Sequence, residues 1–376
     1  MKGSGVRVSP SALRKPCKSG LLLFRPRQQP ASRDHRLPFL SVVSKRPTIR
    51  DVAREAGVAI VTVSDALNGK GRVDPATRER IAEIAQRLGY QANLHARGLR
   101  LGHSRALGLV LPVRGDPRTD EALSLDFYMR LAGAAASCAF THQQSMTLLP
   151  PKLGSSDLRS LALDGGIVVD PRYNDPHVAL FEEVGLPIVT IDRDPARDDG
   201  WYVASPADEI SRAILGHLAE QGARRIALLL PRVETAWAAD TLSAYDAWVA
   251  ENGFPRLVAR ASMLHCEKSA YEATTRLLSK RNAPDAIFVQ VARFIRGVLR
   301  AANDCGRAVP RDLMVAAAVD SVHAREGHPP VTAWELHPER QAEEAVEMLL
   351  AKIAGGAEPH PRFVEATPHY RASTGC

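Results

Sequence analysis

The sequence predicts an α/β protein in which three short helices precede a larger body of two doubly wound, mainly parallel sheets. Two observations carry this prediction. Residues 47–90 show three short helical patterns, each bounded by a capping residue or a glycine. Beyond residue 102, apolar runs alternate with amphipathic helical patterns, the order typical of parallel strands joined by helices. A chain of 376 residues is long enough for two or three domains.

The net charge of +7 is unevenly distributed along the chain. Residues 1–46 hold eleven Lys or Arg and one acidic residue, and residues 47–103 hold nine basic and six acidic residues. The remainder carries more acidic than basic side chains. A basic head therefore precedes an acidic body, so a nucleic-acid partner is expected at the head.

Residues 1–46 are predicted to be a disordered basic extension, because they are rich in Pro, Ser, Arg and Lys and lack apolar periodicity. One interpretation is a basic arm that follows DNA phosphates. The other is a start codon placed too early, with translation beginning near Val42 or Val43. We favour the second interpretation.

Five cysteines, an odd number without CxxC spacing, predict reduced thiols, a cytoplasmic location and no metal site. No apolar run approaches the roughly 18 residues that a membrane helix needs, so no membrane partner is expected. No cofactor is predicted either.

The three head helices are predicted from their boundaries and apolar positions. Thr48 to Asp51 has the Ser/Thr-x-x-acid form of a helix start, and Gly57 ends that helix. The third helix opens at Asp74-Pro75 and ends at Gly89. The second helix is predicted from the apolar positions Val58, Val61, Ala66 and Leu67. Helices this short need a shared core, which predicts one small domain over residues 47–92.

Two short helices joined by a glycine turn match a helix-turn-helix, whose second helix enters the DNA major groove. The outer face of the second helix is almost uncharged. Thr62 and Ser64 suit hydrogen bonds to base edges, and Ile60 and Val61 suit thymine methyl groups. An ordinary helix corner would be the better interpretation of two helices alone, but the flanking order favours DNA binding.

The body is predicted to hold two sheets with a ligand site at the carboxyl ends of their strands, in the cleft between the halves. The predicted strands are 106–111, 146–149, 166–169, 187–191, 225–230, 286–289 and 313–318. The predicted helices include 208–221, 241–252, 270–280, 294–305 and 340–354.

The run from Pro47 to Leu101 resembles the headpiece and hinge of LacI/GalR-type bacterial transcription regulators. The resembling segments are ThrIleArgAspValAla (48–53), AlaGlyVal (56–58), ThrValSer (62–64), AlaLeuAsnGly (66–69), ThrArgGluArgIle (77–81), LeuGlyTyr (88–90) and AsnLeuHisAlaArgGlyLeuArg (93–100). The resemblance implies that Thr62, Ser64 and Asn68 lie at the DNA, with Arg72 near the backbone. Thr48 is assigned to the same surface.

The resemblance also implies that residues 93–104 form a hinge helix on DNA, to which we assign Asn93 and Arg97. In that family the leucine matching Leu99 wedges into the minor groove and bends the site. The surface that would contact DNA bases differs from the family pattern at two positions. Ala59 stands where the family usually has a serine, and Asp65 stands where it usually has an arginine. Asp65 either accepts a hydrogen bond from cytosine or is a solvated acid that weakens binding.

Residues 105–372 resemble the same family's effector-binding and dimerisation domain, which is similar to periplasmic sugar-binding proteins. Its matches include AspGlyGlyIleValValAsp (164–170), ProIleValThrIleAspArg (187–193) and AspAlaIlePhe (285–288). The resemblance implies that Arg193 and Asp320 contact sugar hydroxyls and that Phe127 or Tyr128 lines the cleft.

Two polar positions expected for a sugar are occupied by Pro206-Ala207 and Val291-Ala292, which disfavours a typical hexose because buried hydroxyls need partners. Arg193 and Arg293 are candidates to hold an anion, with Trp201 or Trp237 as an apolar wall. Structural roles for these residues are the competing interpretation. Both binding of a ligand and loss of ligand binding stay open.

The sequence therefore predicts a cytoplasmic, homodimeric, sequence-specific transcription regulator, a repressor rather than an activator. It would bind a pseudo-palindromic DNA operator with an affinity set by a small effector. An enzyme is disfavoured because GxSxG, GxxxxGK[ST], GxGxxG and HExxH motifs are missing. The alternatives are a periplasmic binding protein and a ligand-independent architectural DNA-binding protein.

Overall fold

The computed structural model describes residues 47–90 apart from 68 and 70, residues 104–112, residues 126–356 apart from 198, 199 and 234, and residues 358–375. The predicted N-terminal extension and the predicted hinge from residue 93 to residue 103 lie outside these residues. The chain divides into two compact units between residues 91 and 92. We call residues 47–90 the head and residues 104–375 the body.

The head consists of three helices whose ends follow the sequence signals: α1 (Ile49–Ala56), α2 (Ile60–Leu67) and α3 (Pro75–Leu88). Gly57 closes α1 with φ +66°, a left-handed conformation that costs glycine little. A Cβ at Gly57 would meet no atom within 4 Å, so the backbone angle and not the space requires glycine. The Asp74 side chain accepts a hydrogen bond from the Thr77 amide and caps α3.

One small apolar core holds the three head helices together. Its buried members are Val52, Ala53, Ala56, Val63, Ala66, Ile81, Ile84 and Ala85. Arg80 of α3 also donates to the carbonyl oxygen of Ala56 at 2.8 Å, which ties α3 to the end of α1. The shared core fits the expectation that helices of eight residues cannot stand alone.

The body contains two six-stranded sheets in its described part. The first has the order β11-β5-β4-β3-β1-β2, and all its described pairings are parallel. Its strands are β1 (Ala106–Val110), β2 (Ser145–Leu148), β3 (Gly165–Val169), β4 (Ile188–Ile191), β5 (Tyr202–Ala204) and β11 (Arg362–Phe363). We call this sheet and its helices the first half.

The second sheet has the order β12-β10-β9-β8-β6-β7 and is parallel except at β12. Its strands are β6 (Ile226–Pro231), β7 (Leu257–Ala261), β8 (Ala286–Val289), β9 (Met314–Ala317), β10 (Thr332–Glu335) and β12 (Thr367–His369). The first five strands of each sheet repeat the same doubly wound order, so the predicted fold class is confirmed.

Helices cover both faces of the two sheets. They are α4 (Asp126–Thr141), α5 (Ser155–Ser160), α6 (Pro176–Val184), α7 (Ala207–Glu220), α8 (Ala236–Glu251), α9 (Cys266–Leu278), α10 (Ile295–Asp304), α11 (Val322–Arg325) and α12 (Pro338–Ile353). Apolar side chains fill the space on each face of each sheet.

The chain passes between the halves three times. It leaves the first half after β5 and returns after β10, where α12 packs Ala342, Val346 and Leu349 into the core of the first sheet. It crosses again between β11 and β12. The sequence predicted the α12 segment as a helix but did not place it in the first half.

Candidate DNA-reading helix and candidate ligand cleft

Helix α2 has one buried and one exposed face. Val63 and Ala66 are buried in the head core, whereas Val61 is 68% exposed and Ile60 is also exposed. The sequence placed Val61 in the apolar run of this helix, but Val63 is the valine that fills the core. The exposed face is therefore apolar and uncharged at Ile60 and Val61.

The polar candidates of α2 lie beside this exposed face. Residues three and four positions apart share a helix face, so Ser64 and Asp65 lie on the same side as Val61. Thr62 and Ser64 are half-buried. The arrangement offers hydroxyl groups next to methyl groups, which are the groups that read base edges. Asn68, the next position on this face, lies outside the described residues.

The Asp65 carboxylate lies against the turn that follows α2. A Cβ on Gly71, which has φ +69°, would stand 2.9 Å from Asp65 Oδ2. The neighbouring Arg72 is exposed. This placement is compatible with both interpretations of Asp65, since the side chain is half-buried and its charge stays near the outer surface of the head.

Thr48 forms hydrogen bonds that stabilise the start of α1. Its amide donates to Asp51 Oδ2 at 2.9 Å, and its hydroxyl donates to the same oxygen at 2.7 Å. These hydrogen bonds, with the nearby Arg54 charge, lower the pKa of Asp51. Thr48 is exposed, so its assignment to the DNA surface stays a prediction. Asn93, Arg97 and Leu99 lie outside the described residues.

A cavity of about 120 Å³ opens in the body where strands of both sheets end. From the first sheet it is lined by Asp170 after β3, Asp192 after β4 and Ser205 after β5. From the second sheet it is lined by Pro231 at the end of β6 and Gln290 after β8. The carboxyl ends of parallel strands are where ligands bind in doubly wound folds, so this cavity is the candidate ligand cleft.

Asp170 and Asp192 share an uncommon backbone conformation. Their φ angles are +57° and +68°, in the left-handed region that aspartate tolerates better than most residues. Both amides nevertheless continue the sheet, since Asp170 donates to Ile191 O at 2.7 Å and Asp192 to Val203 O at 2.8 Å. Non-glycine residues in this region cluster at functional sites.

Two glutamines line the cleft and differ in their partners. Gln341 Nε2 donates to Ser205 Oγ at 3.1 Å and to Leu336 O at 2.7 Å. Gln290 is 3% exposed, and its Oε1 is buried without a hydrogen-bond partner among the described residues. A buried amide oxygen left unpaired costs roughly 1–3 kcal/mol, so Gln290 is a candidate to receive a ligand's hydrogen bond.

Aromatic side chains form the apolar part of the cleft. Phe127 and Tyr128 at the start of α4 meet edge to face, with ring centroids 5.3 Å apart. Tyr128 Oη donates to Asp170 Oδ2 at 2.8 Å. Trp237 of α8 lines the cleft from the second half, whereas Trp201 packs at the core of the first half under the Lys352 ammonium group.

The predicted arginines occupy different places. Arg293 lines the cleft and is buried, and that burial lowers the pKa of its guanidinium. Arg193 Nη2 instead donates to Asp240 Oδ1 at 2.9 Å, which joins the first half to α8 of the second. Arg193 is not among the described residues that line the cavity.

Asp320 is not among the described lining residues either, although its neighbours Val319 and Ser321 are. Its carboxylate accepts from Arg371 Nη1 at 2.8 Å and from Arg325 Nη1 at 3.0 Å. Arg325 additionally pairs with Asp126 of the first half. Phe127, Tyr128, Trp237 and Arg293 are thus together in the cleft, while the predicted ligand roles of Arg193 and Asp320 remain predictions.

Two different families match the head and the C-terminal part of the body. Residues 48–93 match the family described as bacterial regulatory proteins, lacI family. Residues 215–374 match the family described as periplasmic binding protein-like domain. The chain belongs to the lacI family of bacterial regulatory proteins. This lacI-family chain is a DNA-binding transcription regulator and not an enzyme.

Relatives of the lacI-family chain extend over most of its length. It is 27% identical to Catabolite control protein A of Priestia megaterium over 280 residues, 71% of this chain and 81% of the relative. It is 26% identical over 351 residues to the HTH-type transcriptional repressor PurR of Proteus mirabilis (strain HI4320), covering 85% of this chain and 95% of that protein.

Solved structures agree with the fold of the lacI-family chain. The transcriptional regulator CelR–cellobiose complex is 25% identical, with a TM-score of 0.66 over 87% of this chain and 100% of that one. The lac repressor dimer bound to operator and the anti-inducer ONPF is 22% identical, with a TM-score of 0.74 over 88% of this chain and 99% of that one. The second likeness concerns the fold alone.

Asp170, Asp192 and Gln290 were not among the residues predicted from the sequence of this lacI-family regulator. A signal was present, because each is the first polar residue after a buried apolar strand. Among the described residues, no helix is long and apolar enough to cross a membrane, and no cluster of side chains suits a metal ion.

Proposed function

We propose that this lacI-family regulator is a cytoplasmic homodimer that represses transcription by binding a pseudo-palindromic operator, and that a small ligand in the cleft changes its affinity for DNA. In this proposal residues 47–92 bind DNA and residues 93–104 form the hinge. Residues 105–372 bind the effector and dimerise, preceded by the extension 1–46.

The exposed face of α2 is the observation that carries the proposal. A solvent-exposed helix of a small domain is expected to carry several charges, yet α2 has one, Asp65, and exposes Ile60 and Val61 beside the hydroxyl groups of Thr62 and Ser64. This composition suits direct contact with base edges better than contact with phosphates. The tight turn at Gly57 places α2 after α1 as a helix-turn-helix requires.

An exposed face of α4 supports the dimer. Met129, Gly133, Ala136 and Phe140 lie on one face of this helix and are all exposed. Phe140 is 80% exposed, and none of the four side chains carries a charge. A contiguous apolar helix face in water favours burial against a partner. In a twofold dimer the same face of the second copy provides that partner.

The position of the cleft supports control by a ligand. Its lining residues come from the ends of both sheets, and the ion pairs Arg193–Asp240 and Arg325–Asp126 also join the two halves. A ligand that binds one relative placement of the halves more tightly shifts the population toward it. We propose that this shift changes the separation of the two hinges in the dimer and hence the affinity for DNA.

Selection of random DNA duplexes by the purified full chain tests the DNA-binding proposal. We expect a palindromic consensus with two half-sites, and the base nearest Asp65 reports whether its carboxylate accepts from cytosine. Binding should then be repeated over a salt series. Binding without a consensus, steeply weakened by salt, means that phosphate contacts dominate and favours the architectural alternative.

A deletion of residues 93–100 tests the hinge. The proposal expects a large loss of operator affinity, because the head would no longer be held at the minor groove. Unchanged affinity contradicts the proposed coupling. Linkage requires that a ligand and the operator change each other's affinity by the same factor, so titrating each in the presence of the other provides an independent check.

A further inference from the structure

The arginines of the head fall into two groups according to their partners. Residues 47–90 contain six arginines. Three of them are engaged within the head, in the contacts Arg54–Asp51, Arg87–Glu55 and Arg80–Ala56 O. The other three, Arg50, Arg72 and Arg78, form no ion pair or hydrogen bond with any residue of the described part of the head. Their guanidinium donors are therefore free to bind an external anion.

Two of these arginines lie at the turn that joins α2 to α3. Arg72 is in the turn itself and is exposed. Arg78 is the fourth residue of α3 and is half-buried, and its Nη1 lies 3.7 Å from the position that a Cβ on Gly69 would take. The Arg78 guanidinium thus lies over the backbone of the turn. Arg50 lies instead in the first turn of α1.

The carboxylates near this turn do not occupy the two guanidinium groups. Asp74 accepts from the amide and the hydroxyl of Thr77 as the cap of α3. Asp65 lies against Gly71, and among the described ion pairs none joins it to an arginine. Arg72 and Arg78 therefore keep their donors free even though an acid is close by.

The length of α2 places the turn at the edge of a DNA groove. Its eight residues span roughly 12 Å at about 1.5 Å per residue. The major groove is also about 12 Å wide. A helix of this length that contacts base edges in the groove ends close to the sugar-phosphate strand beside it. Arginine suits this place, because its planar fork of donors matches the oxygens of a phosphate.

We propose that Arg78, together with Arg72, contacts the phosphate backbone of the operator beside the α2–α3 turn, and that this contact sets the strength of DNA binding but not the choice of bases. Contacts to phosphates position a protein and carry no sequence information directly. The inference rests on the proposed function, since it takes the exposed face of α2 as the surface that contacts bases. Arg78 was not among the DNA-binding residues predicted from the sequence.

The salt dependence of operator binding by the full chain tests the Arg78 contact. Each phosphate contact releases counterions and contributes roughly −0.9 to the slope of log K against log salt concentration. A dimer brings two copies of Arg78, so Arg78→Gln should make this slope shallower by about 1.8. We also expect about tenfold weaker binding at roughly 0.1 M salt. Fluorescence anisotropy with the labelled, selected operator measures both quantities.

Two further variants separate charge from structure. Arg78→Lys keeps the charge and should restore most of the salt slope, while binding stays weaker than in the wild type because lysine lacks the planar fork. Arg87→Gln is the matched control, since Arg87 lies near the other end of α3 and pairs with Glu55. It should leave the slope unchanged.

Thermal unfolding and a second selection of random duplexes exclude other roles for Arg78. Arg78 has no partner in the described part of the head, so Arg78→Gln should keep the unfolding temperature of the wild type. It should also select the same consensus as the wild type, because a phosphate contact does not depend on the base. A lower unfolding temperature with an unchanged salt slope would mean that Arg78 has a structural role.

The outcomes separate this contact from the proposed function. An Arg78→Gln protein with the salt slope of the wild type overturns the phosphate contact, and so does a changed consensus, which would assign Arg78 to a base. In either case a palindromic consensus selected by the wild type leaves the proposed function standing. If the wild type binds DNA without a consensus, the proposed operator recognition fails, whereas a shallower slope for Arg78→Gln still upholds the phosphate contact.

Discussion

Asp320, for which a ligand contact stays a prediction, lies inside an ion network. It is buried, and its two oxygens are divided between Arg371 and Arg325. Burial alone raises the pKa of a carboxyl group, but the hydrogen bonds and charges of the two arginines outweigh that effect and lower the pKa of Asp320. The charge thereby links α11 to the C-terminal segment.

Asp320→Asn should destabilise the body by about 2 kcal/mol at neutral pH, because it removes a buried charge that accepts hydrogen bonds from Arg371 and from the partly exposed Arg325. The folded pKa is below the unfolded value of about 3.9, so the stabilisation is complete above that value and is lost as pH falls through the folded pKa. Urea unfolding of the wild type and the variant should show a difference that shrinks below about pH 4.

The control for this substitution is Asp246→Asn. Asp246 pairs with Arg256 at 2.8 Å on the surface, so its loss should change stability by less than about 0.5 kcal/mol. A stability difference for Asp320→Asn that stays constant from neutral pH to about pH 3 would contradict the assigned charge state.

At the scale of elements, one face of α2 packs in the head core, and the opposite face is the one proposed to contact DNA. The first and third head helices pack against Val63 and Ala66, and the remaining face is left to solvent. A helix of eight residues owes its stability to this packing rather than to its own propensity. Substitutions on the buried face should therefore change the stability of the head, and substitutions on the exposed face should change its affinity for DNA.

Val63→Ala should destabilise the head by about 2 kcal/mol, since it removes two buried methyl groups and leaves a cavity. Val61→Ala removes the same groups from an exposed position and should leave stability within about 0.5 kcal/mol of the wild type. We expect Val61→Ala to weaken binding to the selected operator about fivefold through a lost methyl contact. Thermal unfolding and fluorescence anisotropy measure the two effects; equal destabilisation by both variants would contradict the assigned faces.

The helices and strands that could be predicted from the sequence are those with clear boundary residues or long apolar runs. Capping residues and glycines located the ends of α1 and α3, and the apolar positions from Val58 to Leu67 located α2 to within two residues of its observed ends. The apolar strands of the two sheet centres were likewise recognised, because strands buried on both faces are continuous apolar runs. Five strands were not predicted. β5, β11 and β12 have three residues or fewer, and no periodicity can be read over so short a segment. β7 is mostly half-buried or exposed and contains Arg260, and β10 has only four residues, so neither is a long apolar run.

The candidate ligand cleft lies at the strand ends, where the sequence predicted a ligand site, but its lining includes residues that the sequence did not predict. Strand ends could be located, yet the side chain that enters the cleft depends on local backbone angles. At the end of β4, the left-handed Asp192 lines the cavity, whereas the adjacent Arg193 reaches Asp240 instead. The burial of Gln290 Oε1 without a hydrogen-bond partner among the described residues follows only from packing in three dimensions.

At the scale of the whole molecule, the body joins two similar sheets by repeated crossings of the chain. The return of α12 to the first half places it against α4, so the core of that half depends on residues more than 200 positions apart. Arg130 of α4 also forms ion pairs with Glu335 at the end of β10 and with Glu339 in the first turn of α12. The buried side of α4 is thus occupied, while its opposite face is exposed.

Phe140→Glu should convert the proposed dimer into a monomer, because it places a charge on the apolar face of α4 that would pack against the same face of the second copy. Circular dichroism should show an intact fold, since Phe140 is exposed. Sedimentation equilibrium measures the mass, and operator affinity should fall by more than about tenfold as the two heads lose their linkage. Tyr173→Glu, at another exposed aromatic outside α4, should leave both quantities unchanged. If the Phe140→Glu protein remains dimeric, the dimer interface does not lie on α4. That result would also contradict the proposal that a ligand in the cleft changes the separation of the hinges through this interface.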